Sequence, residues 1–313
     1  SISRFEFSVQ DNRIIGVWFG LLRESDGRTA CFQSPDSRVP VQSPPLYSFS
    51  LCCVPNDDPA APRTEGIGRM AMGAAVRAAA ADAVVTFLWV FCASTLGACT
   101  AAVTAYLSLH EGMHYALLVT VSILALLLFA FNLLCEALGG ACFNPTDVAA
   151  FYAAGLTSPS LFSIALRLPA QAAGAVGGAL AISELMPEQY KHMLGAPSLK
   201  VDPHTGAVAE GVLTFVITFA VLWVVVKGPR NPIVKTGMLS VSSVCLILTG
   251  AAYTGPSMNP ANAFGWAYVN DRHNTWEQLY VYWIGPFIGA ILAAWIFKAV
   301  FQPPPPKPKT KKA

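Results

Sequence analysis

The sequence predicts an all-α membrane fold: six transmembrane helices plus two re-entrant half-helices, arranged as an inverted repeat. Three observations predict it. Hydrophobic residues fill 54% of the 313 positions and charged residues only 12%, with a mean hydropathy of +0.50; a soluble domain carries about twice that charged share. Six long apolar stretches lie at roughly 74–98, 115–135, 160–182, 208–227, 233–253 and 278–301. Each approaches or exceeds the ~20 residues that a spanning helix needs. An Asn-Pro pair, Asn144-Pro145 and Asn259-Pro260, recurs at matching places in the two halves.

Residues 1–69 differ from everything after them. They hold seven Arg, no Lys, eight acids and seven Pro with no sustained periodicity, the composition of a disordered cytoplasmic extension or of upstream sequence ahead of a start at Met70 or Met72. The apolar run 14–22 is too short to cross a bilayer. The membrane domain is expected over 70–302, with repeats at about 74–182 and 208–301. A basic cytoplasmic tail, 303–313, follows with Lys307, Lys309, Lys311 and Lys312.

Within the domain the halves match element by element. Asp82, Thr86 and Phe87 open the first stretch, and Glu210, Thr214 and Phe215 open the fourth at the same spacing. Gly174 and Gly178 in the third match Gly285 and Gly289 in the sixth, small residues that suit a close crossing between the third and sixth spans. The segments 144–155 and 259–269 cross only about half of a ~30 Å hydrocarbon core at ~1.5 Å per residue. They are expected as re-entrant half-helices. Three spans per repeat is an odd number, so the second copy enters from the opposite side and the half-helix starts face each other.

Asn is a strong N-cap, and Pro suits the first helical position because its missing N–H has no partner there. A helix starting inside the membrane aims its positive dipole end and free N–H groups at whatever lies ahead. Asn144, Pro145 and Thr146 with Asn259, Pro260 and Ala261 are therefore expected to line a narrow, electropositive constriction at the midplane. The Thr146 hydroxyl either narrows it, braces the neighbouring half-helix or bonds its own backbone. Asp82 and Glu210 are acids at membrane depth, which flags function and leaves an ion site open. Thr86 and Thr214, one turn on, are expected to bond back within their helices.

The connection 228–235 carries Arg230 and Lys235 with no acid, whereas 101–114 has no Lys or Arg. Lys/Arg bias then places both termini in the cytoplasm, and His110, His114, His192, His204 and His273 in exoplasmic loops. The eight cysteines have no regular spacing, so no disulfide framework is expected. The net charge of +2 gives no reason to expect a nucleic-acid partner. No cofactor and no metal are expected, and no His-Glu-x-x-His, Gly-x-Ser-x-Gly or phosphate-binding loop points to an enzyme.

The paired Asn-Pro boxes, the acid-x-x-x-Thr-Phe openers, Gln171-x-x-Gly174, Tyr253-Thr254-Gly255 and Tyr282-Trp283-Ile284-Gly285-Pro286 together resemble the major intrinsic protein (aquaporin) family over about 74–300. Thr146 in place of Ala and the lysine-rich tail look like the plant small basic intrinsic proteins, subgroup one. The resemblance implies a water channel of the endoplasmic reticulum membrane that forms a homotetramer in the lipid bilayer. It also implies that Asp82 and Glu210 accept hydrogen bonds from the re-entrant loops. A second constriction, the selectivity filter on the exoplasmic side, falls on Leu124, Ile247, Pro256 and Asn262. The family usually has Arg at that last position. A neutral, shorter Asn predicts a more apolar filter that repels cations less and leaves small neutral solutes (glycerol, peroxide, urea) as an alternative cargo. An ion-coupled transporter or a non-conducting membrane protein is the alternative of another class.

Overall fold

The computed structural model describes residues 66–109, 113–194 and 196–301. The expected extension up to residue 65, the basic tail and His110 lie outside the described residues. Every regular element among the described residues is helical. Six helices are long and apolar enough to cross a membrane: Met72–Ala93, His114–Ala137, Leu161–Leu185, Pro203–Val226, Pro232–Gly250 and Trp276–Phe301. These are called the first to sixth spans below. Two short helices, Pro145–Ala153 and Pro260–Val269, sit where the half-helices were expected.

Three expectations are corrected: the first connection, the start of the fourth span and the loop placement of two histidines. The connection after the first span is not a loop: the chain turns at Ser94 and Thr95 and continues as a helix, Leu96–Tyr106. Ser94 Oγ and Thr95 Oγ1 bond back to the Val90 and Cys92 carbonyls, competing with the backbone ladder and bending it. The Ala-rich segment beyond has no Gly or Pro in its interior after Gly97 and stays helical, tied to the second span by Thr100 and Thr120, whose hydroxyls are 3.0 Å apart. The fourth span starts earlier than expected, because Asp202 caps it at the His204 and Thr205 amides, both 3.0 Å away. His204 thus lies in its first turn and His114 in the second span, not in loops. The sixth span widens into a π-turn at Tyr280–Ile284, just ahead of Pro286, which supplies no N–H to the preceding turn.

The glycines also pack differently. Gly174 and Gly178 lie against the first span, where an added Cβ would meet backbone atoms of Ala83 and Phe87. Gly285 and Gly289 lie against Ala207 and Gly211 of the fourth. Each repeat therefore packs its third span on its own first, and the third and sixth spans do not meet through these residues. The half-helices do the opposite. Val148, Ala150, Phe151 and Ala154 of the first pack on Ala290, Ala294 and Phe297 of the sixth span, while Gly265 of the second touches the Ala175 backbone of the third. Each half-helix leans on the other repeat, and that exchange holds the two starts together.

Among the cysteines in apolar segments, Cys92, Cys99, Cys142 and Cys245 are free, whereas Cys135 is disulfide-bonded.

Candidate functional site

Each half-helix starts at its asparagine. Asn144 Oδ1 accepts from the Thr146 amide at 3.1 Å, and Asn259 Oδ1 accepts from the amides of Ala261 and Asn262 at 3.1 and 3.3 Å. With each oxygen spent on its own helix, each amide nitrogen reaches across. Asn144 Nδ2 donates to the Met258 carbonyl at 3.2 Å, and Asn259 Nδ2 to the Phe143 carbonyl at 2.9 Å. The exchange is reciprocal: each asparagine bonds the residue just before the other. An amide nitrogen has two hydrogens, so one on each side remains for a third party.

Thr146 donates its hydroxyl to Asn144 Oδ1 at 2.8 Å rather than to its backbone. It is fully buried, as is Ala261, and Pro145 and Pro260 are buried with them. Asn144 is part-exposed and Asn259 is 7% exposed. The carbonyl that Asn144 meets is aimed by a left-handed residue, Met258, with φ of 51°. A non-glycine there is strained, and such strain concentrates at sites where the backbone must be aimed. Earlier in each loop the left-handed backbone falls on glycine, Gly139 and Gly140 at φ of 76° and 83° in the first and Gly255 at 53° in the second, where it has no side-chain cost.

Both acids hold re-entrant loops. Asp82 accepts from the Cys142 amide at 2.8 Å, and Glu210 from the Ser257 and Met258 amides at 3.0 and 3.1 Å. Their other partners differ. Asp82 is gripped by Arg167 through Nε at 2.6 Å and a second guanidinium nitrogen at 2.9 Å, and by Gln171 Nε2 at 2.7 Å. Arg167 also donates to the Gly140 carbonyl at 3.3 Å, tying the third span to both acid and loop. Among the described residues Glu210 has neutral donors only, Thr254 Oγ1 at 2.9 Å being the third. The Thr254 carbonyl in turn accepts from Tyr282 Oη at 2.9 Å. Thr86 bonds back to the Asp82 carbonyl at 2.7 Å as expected. Thr214 does not: among the described residues its buried hydroxyl has no hydrogen-bond partner.

Of the four filter positions, Pro256 and Asn262 lie either side of Ser257, and Asn262 Nδ2 donates to Ser257 Oγ at 3.1 Å. Leu124 is buried in the second span, and Ile247 is 39% exposed on the fifth. Among the described residues no hydrogen bond or apolar cluster ties either to Asn262. Sequence reasoning missed Arg167, Ser257 and Met258. Arg167 carried a signal, as the only charged side chain in the third apolar stretch. The other two did not, since their roles come from backbone geometry.

The family model of the major intrinsic proteins matches residues 70–297. The rice protein "Aquaporin SIP1-1" is 82% identical over 77% of this chain and 99% of its own length. The maize "Aquaporin SIP1-2" is 81% identical over 78% of this chain and all of its own length. The Arabidopsis "Aquaporin SIP1-1" is 48% identical over 76% of this chain and 98% of its own. In fold the chain is similar to the X-ray structure of the aquaglyceroporin from Plasmodium falciparum, with a TM-score of 0.56 over 73% of this chain and 98% of that one, at 16% identity. Half-helices that start at paired asparagines, six spans in two interlocked repeats and this likeness over the whole membrane region lead to one conclusion: the chain belongs to the major intrinsic protein (aquaporin) family and is a multi-pass membrane channel for water or small solutes, not an enzyme.

Proposed function

We propose that water is the main cargo and that the constriction is the meeting point of Asn144 and Asn259. The observation that carries this is the reciprocal cross-loop bonding of the two amides, which leaves one N–H hydrogen on each side for the same molecule. Water entering hydrocarbon loses its hydrogen bonds, so a channel must replace them without holding it tightly. Two convergent donors hold a water oxygen, turn its hydrogens outward and break a continuous proton wire. The two half-helix dipoles add a barrier to cations. The outer filter is Leu124, Ile247, Pro256 and Asn262, apolar on three sides and without a fixed charge. Asp82 and Glu210 hold the loops rather than ions, a reading supported by the full set of donors on each. The protein works as a homotetramer in the endoplasmic reticulum membrane, with both termini cytoplasmic, residues 1–69 an extension and 303–313 a basic tail.

Stopped-flow swelling of vesicles holding the purified chain tests the cargo. Water permeability well above empty vesicles is expected, falling to background in the Asn144→Ala/Asn259→Ala double variant, which removes both caps and both central donors. Unchanged water flux in that variant would place the constriction elsewhere. A second reading, a channel for small neutral solutes, is favoured by the neutral Asn262. Glycerol run in the same vesicles separates the two.

A further inference from the structure

We propose that Ser257 is a positioning residue: it turns the Asn262 amide so that the carbonyl oxygen, not the N–H₂ group, faces the outer filter, which becomes a hydrogen-bond acceptor for small neutral solutes rich in N–H or O–H donors, such as urea. The inference rests on the filter assignment of Asn262 made above.

A serine hydroxyl has one hydrogen. Ser257 Oγ gives it to the Asn259 carbonyl at 2.8 Å, so its oxygen can only accept from Asn262, whose Nδ2 lies 3.1 Å away. A flipped Asn262 would set two acceptors against each other and break one of the two bonds. The single hydrogen of Ser257 fixes the orientation of the Asn262 amide. The Asn262 amide N–H also donates to Asn259 Oδ1 at 3.3 Å, so the residue is anchored at backbone and side chain alike. Its Oδ1 accepts from no described residue and is not among the buried, unpartnered polar atoms, and so stays open. Neither apolar Ile247 nor Pro256, which has no N–H, offers a competing donor. The usual Arg of this position presents five donors and no acceptor. Here the polarity is inverted: a solute meets an acceptor at the outer filter and a pair of donors at the midplane, an order that suits a molecule carrying both.

The test uses the purified full chain in vesicles, with water and urea permeability measured by stopped-flow light scattering for wild type, Ser257→Ala, Ser257→Thr and Asn262→Leu. Wild type should pass urea faster than empty vesicles do. Ser257→Ala should lower the urea-to-water permeability ratio by about fivefold, the worth of roughly one hydrogen bond; Ser257→Thr, which keeps the hydroxyl, should restore it, and Asn262→Leu should lower it at least as far. A serine that only stabilised the loop would lower both fluxes together and leave the ratio unchanged. That result, or urea flux at background in vesicles with fast water flux, overturns the proposal and leaves the water-channel reading standing. Water flux at background in wild type overturns both.

Discussion

The two repeats do the same task with different chemistry. In each, a carboxylate deep in a first span holds a loop whose end starts a half-helix. In the first repeat Asp82 has four donors, two of them from the Arg167 guanidinium. In the second, Glu210 has three neutral donors, two of them consecutive backbone amides. Aligning Gly174 with Gly285 and Gly178 with Gly289 places Gln171 opposite Tyr282 and Arg167 opposite Gln278. Tyr282 still serves the loop, through the Thr254 carbonyl. Gln278 does not: it is 6% exposed and its Nε2 has no hydrogen-bond partner among the described residues. Converging amides around a left-handed residue make a nest for an anion, so the second repeat needs no cation. The first repeat turns on two glycines, presents one amide and uses an arginine instead.

The largest expected effect breaks that difference directly. Arg167→Leu leaves Asp82 buried with no counter-charge and strips a donor from Gly140, a loss of about 3–5 kcal/mol for a broken buried pair. Gln278→Leu at the matching position removes a buried donor that has no partner and should stay within about 1 kcal/mol of wild type. Apparent melting of the two variants in the same detergent checks both. Equal destabilisation would mean the repeats are held alike and that the salt bridge adds nothing.

How much of this was legible beforehand follows the same division. Asn144 and Asn259, the half-helices and the six spans were legible because capping and apolar length act over a few adjacent residues. The acids were legible because a charge in an apolar run stands out. The partners of the glycines were not, since small residues announce a close approach without naming the neighbour. The helix Leu96–Tyr106 was hidden because its apolar, Ala-rich sequence reads equally well as a short connection. Arg167 was visible as a lone charge, but only the fold brings it beside a residue 85 positions earlier.

A smaller effect sharpens the anion-nest side. Glu210→Gln keeps the size of the side chain but sets an N–H₂ group against amide donors it cannot accept from. One or more of the bonds from Thr254, Ser257 and Met258 is lost, about 1–3 kcal/mol for a donor left unpaired in the interior. Because Ser257 and Met258 lead straight into Asn259, water flux should fall with stability. Asp82→Asn should cost more than Glu210→Gln, because it also strands the Arg167 charge. The reverse order in apparent melting would contradict the account of the two acids.

The smallest effect concerns the caps. Asn259 Oδ1 takes two backbone amides, those of Ala261 and Asn262, whereas Asn144 Oδ1 takes one amide and the Thr146 hydroxyl. The next amide of the first half-helix, from Asp147, bonds the Asn144 carbonyl at 3.2 Å instead. Thr146 therefore substitutes, through its side chain, for a backbone donor that the other half uses. Thr146→Ala makes the first box read as the second does and frees the Asn144 oxygen for the Asp147 amide, which is already in the same turn. The cost should stay below about 1 kcal/mol, less than that of a whole cap, and water permeability should remain near wild type. A fall in flux as large as that from Asn144→Ala would mean that the hydroxyl itself sets the position of the Asn144 amide, and that the two boxes are not interchangeable.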